Sequence, residues 1–363
     1  MMSSSQCLQV YGARISKENG YDVNSYTYYP VAIIGAGESG IAMGCRLTEK
    51  LGFDQFRLFD RQSGIGGTWW INRYPGVACD MYVFTSDYVR LHTDLTRSQA
   101  AFYSFSFAPN HKWSSLYPPG PEIVKYLQGV CEQYEIIDKI QLNSEVTSCR
   151  WNEAEGVWEL TIHELVMGVG DLSAHNRLSL LSIHGDSSVF VRSEKIRAKV
   201  LISAVGGLVE PNRIPENIPG VENFQGDIFH SSRWRYDVDL KDKDIVVVGT
   251  GCSAAQFVPE LTKTHGAKSV TQLMRSPPWV AAKQTPPFGV EKWAILSPWL
   301  NTYVPGFAKL RRTYIAARAE YDWRLFGSSK YSENERAKLE AVLLNHMKKT
   351  VPKKYHEVSV LFS

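Results

Sequence analysis

Two glycine-rich turns, each set between an apolar run and a helix-like segment, limit the fold of this 363-residue chain more than any other feature. The first is Gly35-Ala-Gly37-Glu-Ser-Gly40, which follows the run VAII and precedes IAMGCRLTEKLG. In such a unit the first glycine permits a tight turn and the second lets a pyrophosphate approach the backbone. The third glycine lets the helix pack closely on the strand, so that its N-terminus faces the phosphates. This pattern predicts a dinucleotide site.

A carboxylate stands where such a site requires one. The run FRLFD is predicted to be the second strand, and it ends at Asp60, 20 residues after Gly40. At that distance an acidic side chain can accept hydrogen bonds from a ribose hydroxyl. The alternative is a purely structural glycine turn, but strand, turn, helix, strand and acid in register favour the dinucleotide site.

The second glycine-rich turn repeats the pattern with two changes. In DIVVVGTGCSA, Ala254 takes the place of the third glycine, and the strand predicted for 269–274 is followed by Arg275 instead of an acid. A guanidinium pairs with a 2′-phosphate that a carboxylate would repel, and Ser276 can add a donor. The second site therefore favours NADP, with a plain surface arginine as the alternative. Together the two turns predict an α/β fold with two Rossmann-like dinucleotide-binding domains, for FAD and for NADPH.

Composition excludes several other classes. The formal net charge of +3 is too close to neutral for a nucleic-acid surface. The six cysteines form no CxxC pair, which disfavours a disulfide reductase and predicts reduced thiols in a cytoplasmic protein. No apolar run approaches the roughly 18 residues of a spanning helix.

A segment before the second turn carries a family resemblance. In FQGDIFHSSRW, the pattern Phe224-x-Gly226-x-x-x-His230-x-x-x-Trp234 resembles the fingerprint of the Baeyer–Villiger monooxygenases, which are class B FAD/NADPH flavoprotein monooxygenases, here of the fungal FAD-binding type. Arg235 departs from the proline or aspartate that follows in the family. The resemblance implies that His230 and Trp234 couple NADPH binding to catalysis. A linker with packed aromatic residues is the local alternative.

A second segment, GGTWWINRYPGVACD at 66–80, is similar to the family's GGTWxxNxYPGxxCD. The resemblance implies that Asp80 contacts both cofactors and holds the family's catalytic arginine. Other residues implied to line the flavin are Thr68, Trp69, Trp70, Ile71 and, in FYSFSF, Tyr103. Residues implied to contact NADP are Ala78, Cys79, Thr250, Gly251, Cys252, Ser253, Ala254, Ala255, Gln256, Arg275 and Ser276.

The family's reaction inserts one oxygen atom of O₂ beside a ketone carbonyl, giving an ester or lactone. The resemblance therefore implies a ketone substrate, and for fungal members a role in secondary metabolism. The family's catalytic arginine follows a segment like YHE, whereas this chain reads VPKKYHEVSVLFS and stops. We therefore expect a C-terminally truncated chain without that arginine. The alternatives are an N- or S-oxidising flavin monooxygenase, which Trp234 disfavours, and an inactive nucleotide-binding remnant.

The expected organisation has four parts: a lead at 1–29, an FAD-binding domain at 30–220, the fingerprint and NADP-binding domain at 221–281, and a helical insert with the truncated end at 282–363. Segments near 81–101 and 165–190 show no periodicity, and we interpret them as long loops or as unspliced intron sequence. The segments LRRTYIAARAEYDWRLF and NERAKLEAVLLNHMKK predict amphipathic helices of the insert, with a membrane-surface helix as the alternative.

Overall fold

The computed structural model describes residues 27–79, 103–212, 218–274 and 288–350. These residues fall into two compact units. One unit comprises the chain up to Tyr74 together with Gly120–Asp239, and the other comprises Pro75–Pro119 together with the chain from Leu240 onward. The four-part organisation expected from the sequence stays a prediction.

The first unit is built on a six-stranded mixed sheet. Its strands are Thr27–Ile34 (β1), Phe56–Phe59 (β2), Ile140–Gln141 (β3), Ser144–Asn152 (β4), Val157–Leu165 (β5) and Phe190–Ser203 (β6). Their order is β3-β2-β1-β6-β5-β4, with β1, β2, β3 and β6 parallel and the β5 pairings antiparallel. β1 is central, and Ile33 lies between Leu58 and Ile202 with no exposed surface. A strand covered on both faces is apolar throughout, which explains the run VAII.

In the described part of this unit, four α-helices accompany the sheet: Glu38–Leu51 (α1), Thr68–Ile71 (α2), Gly120–Gln133 (α3) and Ala174–His184 (α4). α1 connects the parallel strands β1 and β2, and it ends at Gly52, whose φ of 57° is left-handed. A crossover helix of this kind is what parallel strands require. The predicted strand–turn–helix–strand unit is therefore present in the first unit.

The prediction of a structureless segment near 165–190 is wrong. This insert contains a 3₁₀ turn at Val169–Asp171, then α4, then a second 3₁₀ turn at Asp186–Ser188. Its own small core contains Leu165, Val169 and Val189. The helix begins at a local cap, where the Ser173 side chain accepts a bond from the Asn176 N–H. Leu180 and Leu181 pack on the insert's core but Leu178 and Ile183 are exposed, so the sequence shows no single apolar face. The other predicted loop, near 81–101, lies outside the described residues.

The second unit contains a parallel pair of strands, Asp244–Val248 (β7) and Ser269–Leu273 (β8), joined through Cys252–Lys263 (α5). It also contains Val290–Tyr303 (α6), Phe307–Asp322 (α7) and Lys330–Thr350 (α8). The two helices predicted from the segments LRRTYIAARAEYDWRLF and NERAKLEAVLLNHMKK are thus present. Among the described helices, none combines the length and the apolar character needed to cross a bilayer.

Candidate nucleotide-binding sites

The first glycine turn is closed so tightly that side chains cannot enter it. Gly35 has a φ of 110°, and a Cβ there would lie 2.3 Å from the Ala204 carbonyl oxygen. A Cβ on Gly40 would lie 1.9 Å from the carbonyl oxygen of Gly35. The start of α1 therefore packs directly on the turn, as the GxGxxG spacing predicts.

Asp60 lies directly beside this turn. Its carboxylate accepts bonds from the N–H of Ala36, at 2.7 Å, and from the N–H of Gln62, at 2.9 Å. Burial raises the pKa of Asp60, and these two bonds oppose the rise. The structure thus brings together the acid and the turn that the sequence paired. Acceptance of a ribose hydroxyl by this carboxylate stays a prediction.

The GGTWW motif contributes a further glycine pair, Gly66-Gly67, which packs against the first glycine-rich turn. The Gly66 N–H donates to the Ala36 carbonyl at 3.0 Å. Gly67 has a φ of 57°, and a Cβ there would lie 2.9 Å from the Cα of Gly37. The two motifs therefore meet through bare backbone beside the N-terminus of α1, where Glu38 and Ser39 are exposed. An exposed helix N-terminus that follows side-chain-free backbone suits a bound pyrophosphate.

The predicted flavin wall, 68–71, forms α2. Thr68 is exposed, Trp69 and Trp70 are half-buried, and Ile71 is buried. The Trp69 indole donates to Glu38 at 3.1 Å. Burial raises the pKa of Glu38, and this bond lowers it. Tyr103, the other residue predicted to line the flavin, is half-buried and belongs to the second unit.

Sequence reasoning missed Asp171, a residue of the insert. The Trp70 indole N–H donates to its carboxylate at 3.2 and 3.3 Å. The backbone N–H of Ser63 also donates to Asp171, at 2.9 Å. No motif marks this residue, because it lies about a hundred positions from its partners, and only the fold brings the segments together.

The fingerprint forms a local, hydrogen-bonded turn. His230 Nδ1 accepts from the Ser232 N–H at 3.1 Å, and the Trp234 ring packs edge-on against Phe229 with centroids 5.4 Å apart. Partial burial and the charge of Arg233 lower the pKa of His230. Both effects favour the neutral imidazole, in which Nδ1 can accept the bond from Ser232.

Arg235, the departure from the family pattern, has a structural role. Its guanidinium pairs with Asp227 at 2.7 Å and with Asp237 at 2.6 Å, so it links the first half of the fingerprint to the residues that follow it. At another fingerprint position, a Cβ built on Gly226 would lie 2.6 Å from the Phe224 ring. The turn is thus held by local contacts even though position 235 differs.

The second glycine turn has more room. Gly249 has a φ of 112°, and its N–H donates to the Leu273 carbonyl at 2.9 Å, which ties the turn to β8. Among the described residues, none outside the turn and its helix lies within 4 Å of a Cβ built on Gly251. Ala254 is buried, and the exposed N-terminus of α5 comprises Gly251, Cys252 and Ala255. The remaining predicted NADP residues of this turn, Thr250 and Ser253, are half-buried.

The YPG segment packs on this same helix. The Gln256 side chain bonds both backbone groups of Ala78, donating to its carbonyl at 3.0 Å and accepting from its N–H at 3.4 Å. Gly76 approaches so closely that a Cβ would lie 2.9 Å from the Gln256 carbonyl. Cys79 is buried, and its N–H donates to the Pro118 carbonyl. Asp80, Arg275 and Ser276 lie outside the described residues.

Comparison with known proteins agrees with these two turns. A family model described as an NAD(P)-binding Rossmann-like domain matches residues 33–89, and one described as flavin-binding monooxygenase-like matches residues 178–289. A Baeyer–Villiger monooxygenase of Pseudomonas aeruginosa is 36% identical over 253 residues, which is 70% of this chain and 38% of that protein. The FAD-binding monooxygenase BOA2 of Botryotinia fuckeliana is 31% identical over 284 residues, 78% of this chain and 44% of that protein.

Among solved structures, the polycyclic ketone monooxygenase of Thermothelomyces thermophila superposes with a TM-score of 0.57 at 26% identity, over 82% of this chain and 42% of that one. The fold and its turns define a flavin-binding monooxygenase-like protein of the Rossmann class. Within that class, the chain belongs to the Baeyer–Villiger monooxygenase family. It spans less than half the length of the relatives named here.

Proposed function

We propose that this chain binds FAD at the first turn and NADPH at the second, as the nucleotide-binding part of a monooxygenase that oxidises ketones. The observation that carries the proposal is the backbone contact between Gly37 and Gly67, next to the buried Asp60. It joins the dinucleotide fingerprint to the GGTWW motif through backbone alone. FAD, when bound, supplies the redox chemistry of the reaction.

The residues of the first unit would hold the cofactor in distinct ways. Backbone N–H groups at the start of α1 would bind the pyrophosphate, since the helix N-terminus favours negative charge. Asp60 would accept from the ribose, exchanging the bond it now receives from Ala36. Trp69 and Trp70 would cover the ring system with indole surface and exclude water from it.

The second unit would select the nicotinamide cofactor. No described side chain crowds Gly251, so a phosphate could lie close to its backbone, and α5 begins directly after it. Arg275 would pair with the 2′-phosphate that distinguishes NADPH from NADH. The Gln256 side chain on α5 already donates to the Ala78 carbonyl, which supports the assignment of both residues to one site.

The substrate class follows from the family. Similar proteins include a polycyclic ketone monooxygenase and a pentalenolactone D synthase, which suit ketone oxidation and a biosynthetic role. Trp234 in the fingerprint favours the ketone-oxidising branch over N- or S-oxidation. Cytoplasmic location, NADPH and O₂ as co-substrates, and the ketone itself all belong to this proposal.

The test uses the purified 363-residue chain. We expect a yellow protein whose flavin absorbance is bleached in stopped-flow mixing faster by NADPH than by NADH. In the matched variant Arg275→Ala, reduction by NADPH should slow to the NADH rate, while the NADH rate stays unchanged. A chain that stays colourless after incubation with FAD would contradict the proposal, and oxidation of an amine in place of a ketone would move it to the N-oxidising branch.

A further inference from the structure

The insert at 165–190 contacts the two segments that carry the first unit's chemistry. On one side its Asp171 binds Ser63 and Trp70. The Ser63 side chain also donates to this carboxylate. Gly170 is packed so closely that a Cβ would lie 1.6 Å from the carbonyl oxygen of Arg61. The insert is thus seated on the chain between β2 and the GGTWW motif.

A second set of contacts ties the same insert to the fingerprint. Glu210 accepts from the Ala174 N–H, at the first residue of α4, and from Arg61, both at 2.6 Å. Arg233, the residue before Trp234, lies 3.6 Å from the same carboxylate and donates to the Val209 carbonyl at 3.1 Å. Burial opposes ionisation of Glu210, but the bonds from Ala174 and Arg61 lower its pKa overall.

Resting on the proposed function, we propose that Asp171 is a positioning residue that acts through Trp70 to fix the wall of the FAD site. The Asp171 carboxylate accepts from three donors: the Ser63 N–H, the Ser63 hydroxyl and, in the wall itself, the Trp70 indole. The Arg73 guanidinium completes the arrangement, 4.3 Å over the Trp70 ring and 3.6 Å from the carboxylate. The Trp70 ring also packs on Gly64, where a built Cβ would lie only 2.4 Å from the ring. Rotation of the indole would therefore uncover the backbone just before Gly66-Gly67.

The physical reason lies in the acceptor-only character of a carboxylate. An ionised aspartate can receive all three N–H and O–H donors with two charged oxygens, whereas an asparagine of the same shape has one neutral acceptor oxygen for the Ser63 N–H and the Trp70 indole, and its amide N–H₂ turns to the Ser63 hydroxyl, which can accept. A hydrogen bond to a charged group is stronger than a bond between neutral groups. Removing the charge therefore makes the orientation of the Trp70 indole less fixed. Asp171→Asn therefore weakens the bond to the Trp70 indole and the ion pair with Arg73 without leaving a cavity.

The first test needs no cofactor. Hydrogen exchange of the apo chain should be about tenfold faster in the peptide covering Gly64–Asn72 for Asp171→Asn than for wild type. The matched control is Asp186→Asn, which removes the same charge from an exposed position of the same insert. Unchanged exchange in Asp171→Asn would overturn the inference. So would equal acceleration in every peptide of the first unit, since that marks a general structural role.

The second test measures the FAD dissociation constant by flavin fluorescence. Asp171→Asn should raise it about tenfold, and Asp186→Asn should leave it unchanged. In a Trp70→Phe background, which keeps an aromatic ring but removes the indole N–H, the effect of Asp171→Asn should shrink to less than about threefold. Full additivity of the two substitutions would contradict action through Trp70. If the wild-type chain binds no FAD, the proposed function fails, and the exchange comparison still decides this inference.

Discussion

The two glycine-rich turns of this chain share a sequence pattern but differ in the structure that supports them. The first lies at the end of a central strand whose Ala32 and Ile33 have no exposed surface. The second lies at the end of β7, in a two-stranded sheet where Val246 is 63% exposed and Val248 is 83% exposed. A short motif therefore encodes the same local turn in both places, while the surrounding sheet decides how much of it is packed.

The third position of each motif shows the consequence. In the first turn a glycine is required, because a Cβ on Gly40 would meet the Gly35 carbonyl oxygen at 1.9 Å. In the second turn the equivalent residue is Ala254, a buried residue within the regular helix α5. The difference between the two sequences at this position thus reports how closely each helix approaches its strand.

The largest expected effect comes from filling the first turn. Gly40→Ala should lower the free energy of unfolding by about 3 kcal/mol or more, because backbone must move to admit the methyl group. The comparison variant is Gly251→Ala at the middle glycine of the second turn, where φ is −68° and no described residue outside the turn and its helix lies within 4 Å of the new Cβ. It should cost less than about 0.5 kcal/mol while weakening NADPH binding. Urea unfolding and NADPH titration measure the two quantities, and equal destabilisation by both variants would abolish the distinction drawn here.

An intermediate effect is expected at the acid beside the first turn. Asp60→Ala removes two buried acceptors and leaves the N–H groups of Ala36 and Gln62 without them, at a cost of about 2 kcal/mol. Because the folded pKa of Asp60 is raised above 3.8, its contribution to stability is complete below that pH and declines as the pH rises through the folded value. The gap between wild type and variant should therefore narrow from about pH 4 toward neutrality. A gap that widens over this range would show a lowered pKa.

The smallest effects compare the two sheets directly. Ile33→Val in the first should cost about 1 kcal/mol, since it removes a methylene from a fully buried site. Val248→Thr in the second should cost less than about 0.5 kcal/mol, because that side chain is mostly in solvent. Denaturant midpoints at constant slope would check both. A large cost at Val248 would mean that its face is covered in solution.

Much of the first unit could be predicted because its elements are local. The β1 turn, α1, β2 and Asp60 follow one another within about 35 residues, and each has a physical cause that a short segment displays. The contact of Gly67 with Gly37 and the role of Asp171 could not be predicted, because neither leaves a mark at the residue itself. The prediction of a loop at 165–190 was wrong for a similar reason: the N-terminus of α4 is bound by Glu210, 36 residues further along the chain.

By itself the sequence determined two dinucleotide turns, the acid that belongs to the first and the family fingerprint around His230 and Trp234. These depend on backbone conformation and spacing, which a few residues specify. Only the tertiary structure decided that the first turn is sealed by the Gly66-Gly67 backbone and that Arg235 closes its own segment through Asp227 and Asp237. It also decided that the insert at 165–190 supports Trp70. Such contacts join residues far apart in the chain, and the free energy that selects them arises only when the sheet brings those residues together.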